Sequence, residues 1–215
     1  MSKNYFEQVT ELTARYPALA GQADAVQTAC EWVIECYRKG GKVLICGNGG
    51  SAADSTHIVG ELMKGFLKKR PVEGALRQQL QANNPALQSS FFEKLQVGLP
   101  AVNLCESAAL LTAFCNDVDP AFIFAQQTFG LGKPGDVLIG LSTSGNAENV
   151  NNAVQIAKAM GLKTIGLTGA KGGRLRENAG LCICVPETET FKVQELHLPV
   201  YHCICAATEA AFFEK

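Results

Sequence analysis

At 215 residues, 47% of them hydrophobic and 18% charged, the chain is long enough to bury a sizeable core and has the composition of an ordinary soluble globular protein. Its net charge of −1 gives no overall electrostatic reason to bind nucleic acid or an anionic membrane. The first residues, Met1 to Gln8, hold no apolar core of signal-peptide type and no run approaches the roughly 18 apolar residues of a membrane span, so a cytoplasmic protein with no nucleic-acid and no membrane partner is expected.

In chain order, two helical stretches come first, at about 5–16 and Ala23–Arg38. Val43–Cys46 is a short apolar run between glycines and reads as a strand. Gly47-Asn48-Gly49-Gly50-Ser51 then opens a helix. Such a loop lets backbone N–H groups close on an anion while the helix dipole favours negative charge, so phosphate is its natural guest. Gly47, Gly49 and Ala52 also match a dinucleotide-binding pattern, but the acid which that reading needs about 20 residues later is missing. Downstream, Lys64, Lys68, Lys69 and Arg70 read as a solvated basic helix end.

Residues 71–100 form a polar block with five glutamines and a break at Asn83-Asn84-Pro85, which predicts two short helices joined at that turn. Its Phe91, Phe92 and Leu95 need burial, so the block is expected to lie over the site or over a subunit interface. Further strands are expected at 101–105, Val137–Leu141, 164–168 and 182–185, separated by helices. Ser142-Thr143-Ser144-Gly145-Asn146 follows the third strand and leads into a helix at 147–160. One hydroxyl suffices to cap a helix, so three in a row point to a phosphate there too. Five apolar strands joined through helices imply a parallel sheet covered on both faces, with ligands at the strands' carboxyl ends. The nine cysteines sit mostly inside apolar runs and read as reduced core residues.

The last helix, expected at 191–213, contains Pro199, which should bend it or mark an irregular start. It also carries Gln194 and His202, at i,i+8, while the helix after the first glycine loop carries His57 and Glu61 at i,i+4. Each pair projects along one helical face, and if the helices meet, the four donors suit zinc or a similar divalent ion, although a carboxamide is an unusual ligand. The plainer alternative is that each histidine satisfies a separate buried hydrogen bond.

Taken together, Cys46-Gly47-Asn48-Gly49-Gly50-Ser51, Asp54, His57, Glu61, Asn116-Asp117, Ser142-Thr143-Ser144-Gly145-Asn146, Leu167-Thr168-Gly169, Gln194-Glu195-Leu196-His197 and His202 resemble the phosphoheptose isomerases of the sugar isomerase (SIS) domain superfamily. The resemblance covers nearly the whole chain outside 71–100. It implies a single SIS domain of α/β class, a flavodoxin-like three-layer αβα fold with a five-stranded parallel sheet, N-terminal helices at 1–40 and a helical insertion around 71–100. It further implies interconversion of sedoheptulose 7-phosphate and D-glycero-D-manno-heptose 7-phosphate through an enediol, in a homotetramer with shared active sites and one zinc ion per site. On that resemblance the metal ligands are His57, Glu61, Gln194 and His202, and the catalytic pair is Glu61 as base and His202 as acid. Substrate contacts fall on Asn48, Gly49, Gly50, Ser51, Glu61, Asn116, Asp117, Ser142, Thr143, Ser144 and Gln194.

Three features depart from the family's pattern: Ala147 stands where a phosphate-loop serine is usual, Phe191 and Lys192 replace polar residues just before Gln194, and the 71–100 block is longer. Two other readings follow. One is a non-catalytic phosphosugar-binding SIS protein, or one that associates with the replication initiator; its relatives lack a histidine at the position of His202. The other is an isomerase for another sugar phosphate.

Overall fold

Strands that are apolar on both faces need cover on both sides, and that requirement organises the molecule. The computed structural model describes residues 6–213, and Tyr5, the expected first residue of the opening helix, lies outside them. The chain begins with α1 (Phe6–Arg15), α2 (Ala23–Arg38), β1 (Val43–Cys46), α3 (Gly50–Met63), α4 (Gly74–Asn83), α5 (Ser89–Lys94) and β2 (Ala101–Asn103). It continues through α6 (Ala108–Asp117), α7 (Ile123–Leu131), β3 (Val137–Leu141), α8 (Glu148–Ala159), β4 (Lys163–Thr168), α9 (Gly173–Asn178), β5 (Leu181–Cys184) and α10 (Thr190–Phe212).

The five strands form one parallel sheet in the order β2-β1-β3-β4-β5. Every residue of β1 and β3 is buried. Because successive side chains point to opposite faces, Val43, Ile45, Val137, Ile139 and Ile165 pack with residues of α1, α2, α3 and α10, while Leu44, Cys46 and Leu138 pack with α7, α8 and α9. The result is the three-layer αβα arrangement the sequence implied. α10 runs unbroken through Pro199, nine residues past its start, so the proline does not mark the helix's beginning. All nine cysteines are free thiols, and among the described residues no helix is long and apolar enough to cross a membrane.

The 71–100 block does form two short helices, α4 and α5, on either side of the Asn84-Pro85 turn. Its base is fastened by an antiparallel bridge between Pro71 and Gln96 and by Gln96 Oε1, which accepts from Gly65 N at 2.6 Å. Of the apolar residues expected to need burial, only Phe92 is buried, beneath the Arg77 guanidinium at 4.8 Å; Phe91 and Leu95 are exposed.

The reading of Arg70 as part of a solvated basic end is corrected by the structure. Arg70 is 1% exposed and donates from Nε to Glu209 of α10 at 2.8 Å. The last turn of α3 leaves carbonyls without helical partners, and the Arg70 guanidinium takes two of them, Leu62 O at 2.6 Å and Glu61 O at 3.1 Å. Glu209 in turn accepts from the backbone N–H groups of Phe66, Leu67 and Lys68 at 2.7 to 3.0 Å.

Candidate functional site

Strand order reverses between β1 and β3, and in open α/β sheets the crevice beyond the strands' carboxyl ends at such a point collects ligands. Both polar loops open there. Asn48, Gly49, Gly50, Ser51, Ser142, Thr143, Ser144, Ala147, Thr190 and Gln194 line one cavity of about 340 Å³. The N-termini of α3 and α8, helices of 14 and 12 residues, both face it with their positive dipole ends. A Cβ on Gly50 would lie 2.5 Å from Gln194 Nε2, so only glycine lets the Gln194 side chain lie over this loop. Gly145 has φ +71° and a Cβ there would lie 1.9 Å from Gly172 O, which fixes the second loop against the start of α9.

The three hydroxyls divide their capacity. Ser142 Oγ accepts from Ala147 N at 3.3 Å and Ser144 Oγ accepts from Asn146 N at 3.1 Å. Each therefore keeps its O–H for donation, and the Thr143 hydroxyl has no hydrogen bond among the described residues. Capping and anion binding are compatible here, because the first uses lone pairs and the second uses protons. Asn48 and Asn149 exchange amide hydrogen bonds at 2.9 and 3.0 Å, tying the first loop to α8.

The second group stands where α3 and α10 meet. His57 Nε2 lies 3.1 Å from Glu61 Oε1 and 3.4 Å from His202 Nε2. Lys64 Nζ approaches the other Glu61 oxygen at 3.4 Å. Burial, and then the neighbouring His57, hold the His202 pKa below its ordinary value against the opposing pull of Glu61, which favours a neutral ring with a free lone pair. Among the described residues no three His, Cys, Asp or Glu side chains form a ready metal cage: these donors face one another in pairs. Gln194 lines the phosphate-type cavity and has no side-chain hydrogen bond among the described residues, so three of the four expected ligands are together and the fourth is not joined to them. Asn116 and Asp117 are exposed at the end of α6, bonded to each other and outside the cavity.

Sequence reasoning quoted Asp54 without giving it a role in this group and missed Tyr201. The Tyr201 hydroxyl donates to Asp54 Oδ1 at 3.2 Å and lies 3.0 Å from His57 Nδ1. Asp54 precedes His57 by three residues on one face of α3, a signal that was available; Tyr201 is 144 residues from His57 and had none.

His197, on the same helix as Tyr201, is fully buried, and neither ring nitrogen has a hydrogen bond among the described residues. Burial lowers its pKa from 6.5 to about 4; the Thr168 backbone beside it opposes this, though not in hydrogen-bonding geometry. Between those values the unfolded chain binds a proton that the native state refuses, so stability rises with pH across this window. Denaturant titrations near pH 7 and about pH 4.5 are expected to show wild type losing about 2–3 kcal/mol more on acidification than His197→Phe. Equal losses would show that His197 is protonated at no cost in the native state.

Comparison with known proteins places this geometry. SIS domain family models match residues 4–102 and 107–211. A phosphoheptose isomerase of Roseiflexus sp. is 39% identical over 194 residues, 90% of this chain and 85% of its own length. That of Akkermansia muciniphila is 34% identical over 213 residues, 99% of each chain. Among solved structures, the phosphoheptose isomerase of Neisseria gonorrhoeae matches with a TM-score of 0.73 at 29% identity over 95% of both chains, and that of Francisella tularensis with 0.72 at 28% over 96% of this chain and 95% of its own. With its switch-point cavity, its two phosphate-type loops and relatives aligned along nearly its whole length, this chain belongs to the phosphoheptose isomerase family.

Proposed function

We propose that the protein is an aldose–ketose isomerase that interconverts sedoheptulose 7-phosphate and D-glycero-D-manno-heptose 7-phosphate. One observation carries the reading: α3 and α10 each run from the hydroxyl-lined cavity to the His57, Glu61 and His202 group. From Ser51 to His57 is about 9 Å along the helix axis, and from Gln194 to His202 about 12 Å. A sugar phosphate long enough to put its phosphate at one end and its carbonyl at the other suits that separation better than a short one.

The chemistry assigned to these residues is proton transfer between adjacent carbons. The Glu61 carboxylate takes a proton from C1 of the ketose while His202 gives one to the C2 carbonyl oxygen, forming the enediol; Glu61 then returns its proton to C2 while the O1 hydroxyl gives its proton back to His202, leaving the C1 aldehyde of the aldose. The loop hydroxyls and helix N-termini hold the phosphate throughout and fix which carbons face Glu61.

Zinc, one ion per site, is supported by the types of donor that α3 and α10 bring near one another, two imidazoles and a carboxylate. His57 Nε2 lies 3.1 Å from Glu61 and 3.4 Å from His202, so small side-chain adjustments would let these donors share one ion. His57, Glu61 and His202 would hold the ion, with Gln194 as the fourth ligand if its side chain swings from Gly50. When bound, the metal would polarise the carbonyl oxygen, at the cost of lowering the basicity of Glu61.

We further propose a cytoplasmic homotetramer with shared sites. Nine free thiols suit a reducing compartment. The exposed apolar side chains Val118, just past α6, Phe122, just before α7, and Phe129, on α7, suit cover by a second copy, and shared sites would give Asn116 and Asp117 a substrate to touch. Ala147 offers no hydroxyl to the cavity, which makes another sugar phosphate the competing reading.

The test is a panel of ketose phosphates offered to the purified protein, with aldose formation followed. Turnover of sedoheptulose 7-phosphate above the others is expected, and Ser144→Ala is expected to raise KM severalfold with kcat nearly kept, as loss of uniform binding should. Turnover of a different ketose phosphate alone, or of none, would replace this reading.

A further inference from the structure

The hydrogen-bond chain behind His57 has a direction fixed by its far end. A carboxylate is an acceptor only, and the Tyr201 hydroxyl has one proton to give. Asp54 Oδ1 lies 3.2 Å from that hydroxyl, and among the described residues the Asp54 side chain has no other hydrogen bond, its Oδ2 being buried and unpartnered. If the phenolic proton goes to Asp54, the Tyr201 oxygen is left with lone pairs toward His57 Nδ1, 3.0 Å away. That nitrogen must then carry hydrogen and donate. Tyr201 is 1% exposed, and its ring meets both His57 and His202 edge-on, with centroids 5.5 and 5.0 Å apart, so packing holds the hydroxyl where it is.

We propose that Tyr201, anchored by Asp54, is a positioning residue that fixes His57 as the Nδ1–H form and thereby keeps Nε2 turned to Glu61 and His202. Glu61 Oε1, also an acceptor, faces Nε2 at 3.1 Å and draws hydrogen toward that nitrogen, so what Tyr201 decides is whether Nδ1 keeps a hydrogen against this competition, and its removal hands the preference to Nε2. The consequence for metal binding rests on the zinc reading above. A histidine ligand whose second nitrogen donates to a fixed acceptor has its ring orientation and tautomer set before the ion arrives, and removing such a partner weakens affinity by about 10–100-fold. Asp54, Tyr201 and His57 form a carboxylate–hydroxyl–imidazole version of that support, with the hydroxyl as the link because the carboxylate itself stops short of the ring.

With only three histidines in the chain, the ring nitrogens are separately observable by ¹⁵N NMR. In the metal-free protein His57 Nδ1 is expected to be protonated in wild type and to lose that preference in Tyr201→Phe, which keeps the ring's packing and removes the hydroxyl. Asp54→Asn retains an oxygen acceptor for the hydroxyl and is expected to preserve the Nδ1–H form. Zn²⁺ titrated against a competing chelator is expected to bind Tyr201→Phe about 10–100-fold more weakly than wild type and Asp54→Asn within a few-fold of it. An unprotonated His57 Nδ1 in wild type, or a Nδ1–H unchanged in Tyr201→Phe, would overturn the assignment. Nδ1–H lost in Tyr201→Phe while wild type binds no zinc would uphold the tautomer control and remove the metal reading alone.

Discussion

Glu61→Gln is expected to lower kcat by about 10²–10⁴-fold, with a much smaller change in KM. Three independent contacts hold Glu61 in place and support the base role we propose for it. α3 aims it at His57, 3.1 Å away, Lys64 approaches its second oxygen at 3.4 Å, and Arg70 grips its backbone carbonyl from behind. Glutamine has nearly the same shape and keeps the packing, but an amide cannot take a proton from carbon. The readout that isolates this step is exchange of the C1 hydrogen with solvent deuterium, which requires abstraction without requiring product release. Loss of turnover with exchange retained would move the base elsewhere and leave Glu61 as a ligand only. Unchanged turnover would remove Glu61 from the mechanism.

The parts of this protein legible in its sequence are those set by local pattern. β1 is an apolar run with glycines close to both ends and β3 an apolar run between Asp136 and Ser142, and their limits follow from that alone. β5 is displaced by one residue from its expected range because 181–185 is apolar throughout, and its ends are set by pairing with β4, Ile165 opposite Leu181 through Thr168 opposite Cys184. β2 stops at Asn103 because the Asn103 side chain accepts from Cys105 N at 2.9 Å and turns the chain there.

Pro199 shows tertiary context overriding propensity. The helix on both sides of it is held by buried residues, among them Val193, Val200 and Tyr201, and one missing backbone donor does not end it. The site was legible in the same uneven way. Loop chemistry and i,i+4 spacing identified the cavity and the His57 to Glu61 pair, since both lie within short segments. The Asp54, Tyr201 and His57 chain, like the burial of Arg70, joins residues far apart in sequence, and a single sequence offers no signal for a partner chosen by packing.

Arg70 carries the largest stability effect we expect. Breaking a buried ion pair by removing one partner costs about 3–5 kcal/mol, since the other charge remains in a low-dielectric interior without compensation; Glu209→Leu and Arg70→Met are each expected to lose that much in urea denaturation. The double variant distinguishes two explanations. If the ion pair acted only as a pair of charges, replacing both by apolar side chains should recover most of the loss, as it does for some buried pairs. Here the charges also serve the backbone: Glu209 accepts from Phe66, Leu67 and Lys68, and Arg70 donates to the carbonyls of Glu61 and Leu62. Leu62 O keeps the Leu99 N–H at 3.0 Å, but the other four backbone groups would be left without partners among the described residues, each costing about 1–3 kcal/mol if no water reaches it. The double variant is therefore expected to remain at least as unstable as either single one. Recovery to near wild-type stability would show that water or a rearranged loop satisfies those groups, and that the connection between α3 and α10 does not depend on this pair.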